Sequence, residues 1–184
     1  MTTDDPRLDR LWSAHEIEQL AYRYAFAFDS RDVEALGALW AETDSPAGPP
    51  EIDIHSVRND FDQWLYGLGP TVLAVCNHII EFDEDHGDRA RGSVYCLAQI
   101  DMGDRFIDQS ILYGDRYVRR DGRWLFLVRR HMLWFGQPRP EHPFEQEPAN
   151  WPASPVGRGT LPDELPSYQR FKENAPRTAQ PDTG

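Results

Sequence analysis

The sequence lacks the features by which several protein classes are recognised. It has two cysteines in 184 residues, Cys76 and Cys96. Both lie in apolar stretches without metal-ligand spacing, so buried free thiols are expected rather than a disulfide. No apolar run approaches the 18 residues of a membrane-spanning helix. Residues 1–12 show no basic segment followed by an apolar run, as a secretory signal would. These absences predict a cytoplasmic protein that does not enter the membrane.

Positive charge is also scarce. The chain has 19 Lys and Arg against 31 Asp and Glu, a net charge of −12. Without a basic surplus it has nothing to neutralise phosphates, so neither nucleic acid nor an anionic membrane is an expected partner. The six histidines have no metal-ligand spacing, and there is no Gly-rich phosphate loop or nucleophile elbow. We therefore expect no metal and no cofactor.

Aromatic and apolar residues, by contrast, are plentiful. Apolar types make up 40% of the chain and aromatic types 12%. That composition and length are typical of one globular domain with a substantial core. Aromatic rings are also frequent in the walls of cavities that hold organic ligands.

Three helices are predicted before residue 70. Ser13 and Glu16 have the spacing of a capping box, and apolar residues follow at helical spacing as far as Phe28. Asp32 has the position of an N-cap for a shorter second helix. A loop follows, and a third helix is expected from about Ser56 to the glycines near residue 68.

The pattern then changes to that of strands. Asp121-Gly122 is a strong two-residue hairpin signal between the last two of them. Successive antiparallel strands form a sheet that buries one face under helices, so an α+β fold is predicted. The four predicted strands span residues 71–82, 90–102, 106–119 and 124–135.

The composition shifts again after residue 136. Residues 137–184 contain ten of the fifteen prolines, and a proline-rich segment does not extend a sheet. The chain is therefore divided into a domain over 1–136 and a C-terminal arm over 137–184. The arm is expected to lie across its own domain or a neighbouring subunit, with about the last ten residues disordered. The arm and the sheet together predict a homo-oligomer, a dimer or trimer.

Three segments carry a resemblance to a known family. They are 17–24 with Phe28-Asp29-Ser-Arg-Asp32 and Leu39-Trp40; Asn77-His-Ile-Ile-Glu-Phe82 before an acidic turn; and 116–124 followed by Arg129. In order and spacing, residues 10–135 resemble the SnoaL-like branch of the nuclear-transport-factor-2 superfamily. That branch includes scytalone dehydratase, bile acid 7α-dehydratase and hexachlorocyclohexane dehydrochlorinase. The resemblance implies a cone in which three N-terminal helices pack on a curved antiparallel sheet around an apolar pocket.

The resemblance also assigns site residues. In those enzymes an aspartate at the end of the first helix orients a histidine from the first long strand, and that histidine removes a proton from the substrate. Asp29 matches the aspartate, but Leu73 stands at the histidine position. Arg129 matches a pocket arginine of the dehydrochlorinase. The family's usual pair is therefore incomplete in this chain.

Strand alternation suggests a replacement for the missing base. His131 lies two residues from Arg129 and so shares its face. We hypothesise that His131 is the base, that Arg129 holds a carboxylate or a developing anion, and that Tyr113 bonds a carbonyl. Alternatively, Asp29 ends its helix or pairs with Arg31 or Arg129. His78, facing the helices or solvent, ranks behind His131. The remaining expected pocket residues are Tyr24, Phe28, Trp40, Leu73, Val94, Cys96, Gln109 and Ile111.

These residues predict a cofactor-independent lyase or isomerase, of the dehydratase, isomerase or cyclase type. The expected substrate is a hydrophobic ring compound of polyketide, steroid or aromatic-degradation type. Leu73 also motivates a rival hypothesis, a binding protein of the same fold without turnover. A third, a transport or assembly module, would use outer surfaces rather than a pocket.

Overall fold

In the part of the chain that the structure describes, helical segments precede four long strands and a further helix follows them. The computed structural model describes residues 5–41 and 65–175. Most of the predicted third helix, and the predicted disordered end of the chain, lie outside these ranges. Leu65 and Tyr66 are helical. The elements are α1 (Pro6–Asp29), α2 (Val33–Gly37), β1 (Thr71–Phe82), β2 (Arg89–Asp101), β3 (Phe106–Arg120), β4 (Arg123–Pro138), a 3₁₀ turn (Pro143–Glu145) and α3 (Pro166–Asn174).

Helix α1 begins earlier than the sequence pattern predicted. Asp5 is its N-cap and accepts a hydrogen bond from the Arg7 N–H at 2.9 Å, with Pro6 at the first helical position. An Asp-Pro pair is a strong start signal because proline needs no N–H partner there. The predicted cap at Ser13 is therefore wrong, and Ser13 is buried inside the helix. The predicted cap at Asp32 is confirmed, since its carboxylate accepts from the Ala35 N–H at 3.0 Å.

The strands form one antiparallel sheet in the order β1-β2-β3-β4. Asp121 and Gly122 join β3 to β4 with positive φ angles of 50° and 75°, the twist that a two-residue hairpin requires. Strand β4 runs to Pro138, three residues past its predicted end. Proline is tolerated there because β4 is an edge strand and needs no N–H bond on its open side.

One face of the sheet, here called the inner face, packs against α1 and α2. On β2 burial alternates residue by residue, with Ala90, Val94, Cys96 and Ala98 inside. The pairing register aligns inner residues in rows across the strands. One such row is His78, Val94, Tyr113 and His131. The next row toward the end of α1 is Val75, Cys96, Ile111 and Leu133.

The chain after β4 packs back on its own domain. Arg139 forms a bidentate ion pair with Asp108, in which Nη2 donates to Oδ1 at 2.8 Å and Nε donates to Oδ2 at 3.0 Å. Farther on, Tyr168 of α3 is 7% exposed. No helix in the described ranges is long and apolar enough to cross a membrane. The domain boundary at residue 136 stays a prediction.

Candidate functional site

The end of α1 meets the start of β1 at Asp29. The Thr71 hydroxyl donates to Asp29 Oδ1 at 2.8 Å, and the Leu73 N–H donates to Oδ2 at 2.8 Å. Burial raises the pKa of Asp29 from 3.8 to about 6, although the two hydrogen bonds and the charge of Arg31 oppose the rise. The carboxyl group is thus held in place with a pKa near neutrality.

Leu73 contributes its backbone to the carboxylate rather than an imidazole. Its half-buried side chain belongs to the inner face, since Leu73 pairs with Ala98 of β2. A histidine at this position would bring a second titratable group to Asp29. Here the Asp29 carboxyl group has no imidazole beside it from this position.

His131 lies on the inner face, on the far edge strand from Asp29. It pairs with Tyr113, and the two rings meet edge to face at 5.6 Å. Burial lowers the pKa of His131, so its imidazole is neutral at pH 7. Its catalytic role stays a prediction.

Asp29 and His131 are not a hydrogen-bonded pair in the described structure. Asp29 is anchored on β1 and His131 belongs to β4, three strand spacings apart, or about 14 Å along the sheet. Asp29 therefore does not orient His131 directly. The two groups lie at opposite sides of the inner face.

Arg129 pairs with Asp115, a partner that the sequence did not suggest. Its Nε and Nη2 donate to the two oxygens of Asp115 at 2.9 and 2.7 Å. The alternative that Arg129 pairs with Asp29 is therefore wrong. Burial by itself lowers the pKa of the Arg129 guanidinium, but the Asp115 carboxylate outweighs it and raises the pKa. Both side chains are nearly inaccessible, so the charges neutralise each other inside the core.

Three aromatic rings enclose the Arg129 guanidinium. Its central carbon lies 4.4 Å from the Tyr24 ring centre, 4.3 Å from Tyr113 and 4.4 Å from Phe126. Burial raises the pKa of Tyr24 to about 12 and that of Tyr113 above its ordinary value. Both phenols therefore stay protonated, and Arg129 is 3% exposed.

Asp115 also anchors a chain of polar groups that reaches β1. The Tyr117 hydroxyl donates to Asp115 Oδ2 at 2.8 Å, and its oxygen lies 3.0 Å from His78 Nε2. Because Tyr117 gives its one proton to Asp115, His78 Nε2 must be the donor of the second bond. Gly92 makes room for this contact, since a Cβ there would lie 2.6 Å from the Tyr117 oxygen. Burial lowers the pKa of His78, which faces the inner side.

The other predicted pocket residues divide into two groups. Phe28, Val94, Cys96 and Ile111 are at most 4% exposed and form the floor of the inner face. Burial raises the pKa of Cys96 to about 12, so it is a neutral thiol. Trp40 and Gln109 are half-buried, and the Trp40 ring packs on Phe126 at 5.0 Å.

The sequence interpretation missed three residues that organise this region, namely Thr71, Asp115 and Tyr117. One signal was present for two of them. Asp115 and Tyr117 follow Tyr113 at intervals of two, so strand alternation places all three on one face. Nothing local pointed to Thr71, because its contacts join segments about 40 residues apart. Arg31 was considered as a direct partner of Asp29, whereas in the structure Thr71 lies between the two side chains.

No group of three or more metal-ligating side chains occurs in the described ranges. A separate groove of about 370 Å³ lies toward the opposite end of the strands. Its lining mixes charged and apolar residues and comprises Glu81, Phe82, Asp83, Arg89, Ala90, Arg91, Arg116, Tyr117 and Leu127.

The sequence profile of the SnoaL-like domain matches residues 9–130. The chain belongs to this family. The match covers α1, α2 and the sheet as far as Arg130, and therefore every candidate site residue except His131. No curated protein matches the sequence.

Solved structures agree with the family assignment. The crystal structure of LinA is 24% identical, with a TM-score of 0.60 over 74% of this chain and 95% of that one. A type 2 hexachlorocyclohexane dehydrochlorinase is 26% identical, with a TM-score of 0.56 over 72% and 92%. A putative scytalone dehydratase from Novosphingobium aromaticivorans is 20% identical, with a TM-score of 0.57 over 73% and 92%. The SnoaL-like chain thus has the α+β fold of the nuclear-transport-factor-2 type.

Proposed function

We propose that this SnoaL-like protein is a cofactor-independent lyase or isomerase that transfers a proton on a hydrophobic cyclic small molecule. The observation that carries the proposal is Asp29, a carboxyl group fixed by two hydrogen bonds with a pKa raised to about 6. A carboxyl group in that range is ionised enough at pH 7 to accept a proton. It is also acidic enough to return the proton.

Asp29 replaces the absent strand histidine as the base in this proposal. An oxygen of Asp29 takes a proton from a carbon next to a carbonyl group, and the released electron pair forms an enolate. In an isomerase the proton returns to another carbon of the same molecule. In a dehydratase the electron pair forms a double bond as the neighbouring C–O bond breaks, and the proton leaves with the hydroxyl as water. His131, on the far edge strand, donates a hydrogen bond to a second polar group at the opposite end of the substrate.

The surroundings support an apolar ring compound as substrate. The row between the two polar groups is Val75, Cys96, Ile111 and Leu133, and it offers no charged side chain. Arg129, Tyr113 and Tyr24 lie beside it as a buried cluster, in which Asp115 already neutralises the charge of Arg129. These features support a neutral polyketide, steroid or aromatic-degradation intermediate rather than an acid.

Exchange of carbon-bound hydrogen tests the proposal without knowledge of the natural substrate. A panel of cyclic ketones is incubated with the protein in D₂O, and deuterium uptake next to the carbonyl is followed by mass spectrometry. Asp29→Asn is expected to lose roughly 100-fold or more of the exchange rate, and His131→Ala a smaller factor. Asp104→Asn, an exposed acid away from the site, is the matched control. Undiminished exchange in Asp29→Asn would contradict the proposal.

A second candidate is a binding protein of the same fold without turnover. The observation in its favour is Leu73, whose backbone already occupies one oxygen of Asp29 while Thr71 occupies the other. Saturable binding of a panel member without any hydrogen exchange in the unaltered protein would support this candidate.

We also infer a cytoplasmic homo-oligomer, a dimer or trimer. The outer face of the sheet carries large apolar side chains, and Leu97 and Trp134 are 54% and 62% exposed. Apolar surface of this kind is characteristic of contacts between subunits. Further exposed members of this outer patch are Val72, Ile79, Tyr95 and Phe135.

A further inference from the structure

Helix α1 ends in a motif that normally carries glycine. The Asp32 N–H bonds to the Ala27 carbonyl at 2.9 Å and the Arg31 N–H to the Phe28 carbonyl at 3.2 Å. These are the two bonds of a Schellman motif, whose left-handed position is usually glycine. Arg31 occupies that position with a φ of 55°. A strained backbone that retains a large side chain indicates a use for that side chain.

The Arg31 side chain turns inward, and both of its terminal nitrogens donate hydrogen bonds. Its Nη1 donates to the Phe28 carbonyl at 2.6 Å and to the Thr71 hydroxyl oxygen at 3.0 Å. Its Nη2 donates to the Gly69 carbonyl at 2.6 Å, and the residue is 2% exposed. Arg31 therefore clamps the end of α1 to the segment that leads into β1.

This clamp continues into the Asp29 carboxylate. Thr71 has one proton, which it gives to Asp29, and its oxygen accepts from Arg31. The order Arg31, Thr71, Asp29 is therefore a directed chain from a cation to a carboxylate. Arg31 is the charged group that opposes the rise of the Asp29 pKa, and the nearby Cys96 thiol is neutral.

The C-terminal helix holds the clamp from outside. The Ser167 hydroxyl donates to the Ser30 carbonyl at 2.8 Å, next to the strained residue. The guanidinium carbon of Arg31 lies 5.8 Å from the Tyr168 ring centre and 5.4 Å from that of Phe28. Helix α3 therefore covers Arg31 with an aromatic ring and excludes water from it.

We propose that Arg31 is a positioning residue of the candidate active site, that it acts on Asp29 through Thr71, and that α3 is part of the site because it covers Arg31. This inference rests on the proposed function of Asp29. Through α3, the C-terminal arm would then influence how firmly the Asp29 carboxylate is held and how readily it ionises.

The titration of the Asp29 side-chain carbon by NMR tests this inference on the full chain without any substrate. Thr71→Val keeps the shape but removes the hydroxyl, so the titration midpoint should rise above 6 by roughly one pH unit. Arg31→Gln removes the charge and should shift the midpoint in the same direction. Arg31→Lys retains the charge and Thr71→Ser retains the hydroxyl. In both variants the Asp29 midpoint should stay close to that of the unaltered protein.

A third pair of variants tests the role of α3. Tyr168→Ala exposes Arg31 to solvent, which screens its charge, and should also raise the Asp29 midpoint. Tyr168→Phe retains the covering ring and should leave the midpoint in place. An Asp29 titration that is identical in unaltered protein, Thr71→Val and Arg31→Gln would overturn the inference, even if Asp29→Asn still abolishes hydrogen exchange. If the proposed function itself is wrong, hydrogen exchange will instead persist in Asp29→Asn.

Discussion

The raised pKa of Asp29 predicts that this residue lowers the stability of the protein at neutral pH. A carboxyl group that must ionise in a partly buried place costs the folded state free energy, because the unfolded chain ionises it at pH 3.8 and the folded chain at about 6. Its neutral form is favoured in the folded state. The contribution is therefore most favourable below pH 3.8 and is lost as the pH rises through about 6.

The magnitude follows from the shift. About two pH units, at about 1.4 kcal/mol each, give about 3 kcal/mol for a fully buried group. Asp29 retains some solvent contact, and screening reduces the effect to about 1–2 kcal/mol. Asparagine has the same shape, can accept from the Leu73 N–H and can donate to the Thr71 oxygen. Asp29→Asn should therefore be about 1–2 kcal/mol more stable than the unaltered protein at pH 7 and about equal to it at pH 4.

Urea unfolding followed by tryptophan fluorescence measures this difference at both pH values. Other acids titrate over the same range, but their effects cancel when the variant is compared with the unaltered protein at each pH. Asp104→Asn, at an exposed position, should show no such pH-dependent gain. A stability difference for Asp29→Asn that is the same at pH 4 and pH 7 would refute the reasoning.

Three further predictions concern packing and assembly. Gly92→Ala places a Cβ 2.6 Å from a buried hydroxyl and should lower the free energy of unfolding in urea by about 1–3 kcal/mol. Gly87→Ala has open space around it and should leave that free energy unchanged. Equal effects of the two substitutions would contradict the close contact at Gly92. Asp115→Asn should cost about 3–5 kcal/mol by leaving a buried guanidinium unpaired. Asp108→Asn breaks a pair that is partly open to solvent and should cost about 1 kcal/mol. Leu97→Lys on the outer face should reduce the mass measured by light scattering to that of one 21.2 kDa chain; an unchanged mass would exclude this face as the interface.

Local chemistry made much of the fold predictable. Each strand reads as an alternating or apolar run, and Asp121-Gly122 supplies the positive φ angles that a tight hairpin needs. The start of α1 was misplaced because two competing caps lie in the sequence, and Asp5-Pro6 prevails over Ser13. Its end was located correctly at Asp29, since the change in pattern there is local.

The candidate site was predictable only in part. Strand alternation from Arg129 placed His131 on the inner face, and the structure agrees with that orientation. Alternation predicts which face a residue occupies but not the distance between two strands of a sheet. The separation of Asp29 from His131 therefore could not be predicted from the sequence. Nor could the choice of partner for Arg129, because Asp115 and Asp29 were both acids that a fold could bring to it.

The sequence by itself determined the family, the order of α1, α2 and the four strands, and the identity of Asp29 at the end of α1, since all of these depend on local patterns and spacing. Tertiary structure decided what surrounds Asp29. The Arg31 clamp, the Thr71 bond and the cover from α3 join residues between 38 and 137 positions apart, and only chain folding brings them together. Burial, which raises the pKa of Asp29, is likewise a property of the packed molecule, because a carboxyl group in an extended chain is fully hydrated.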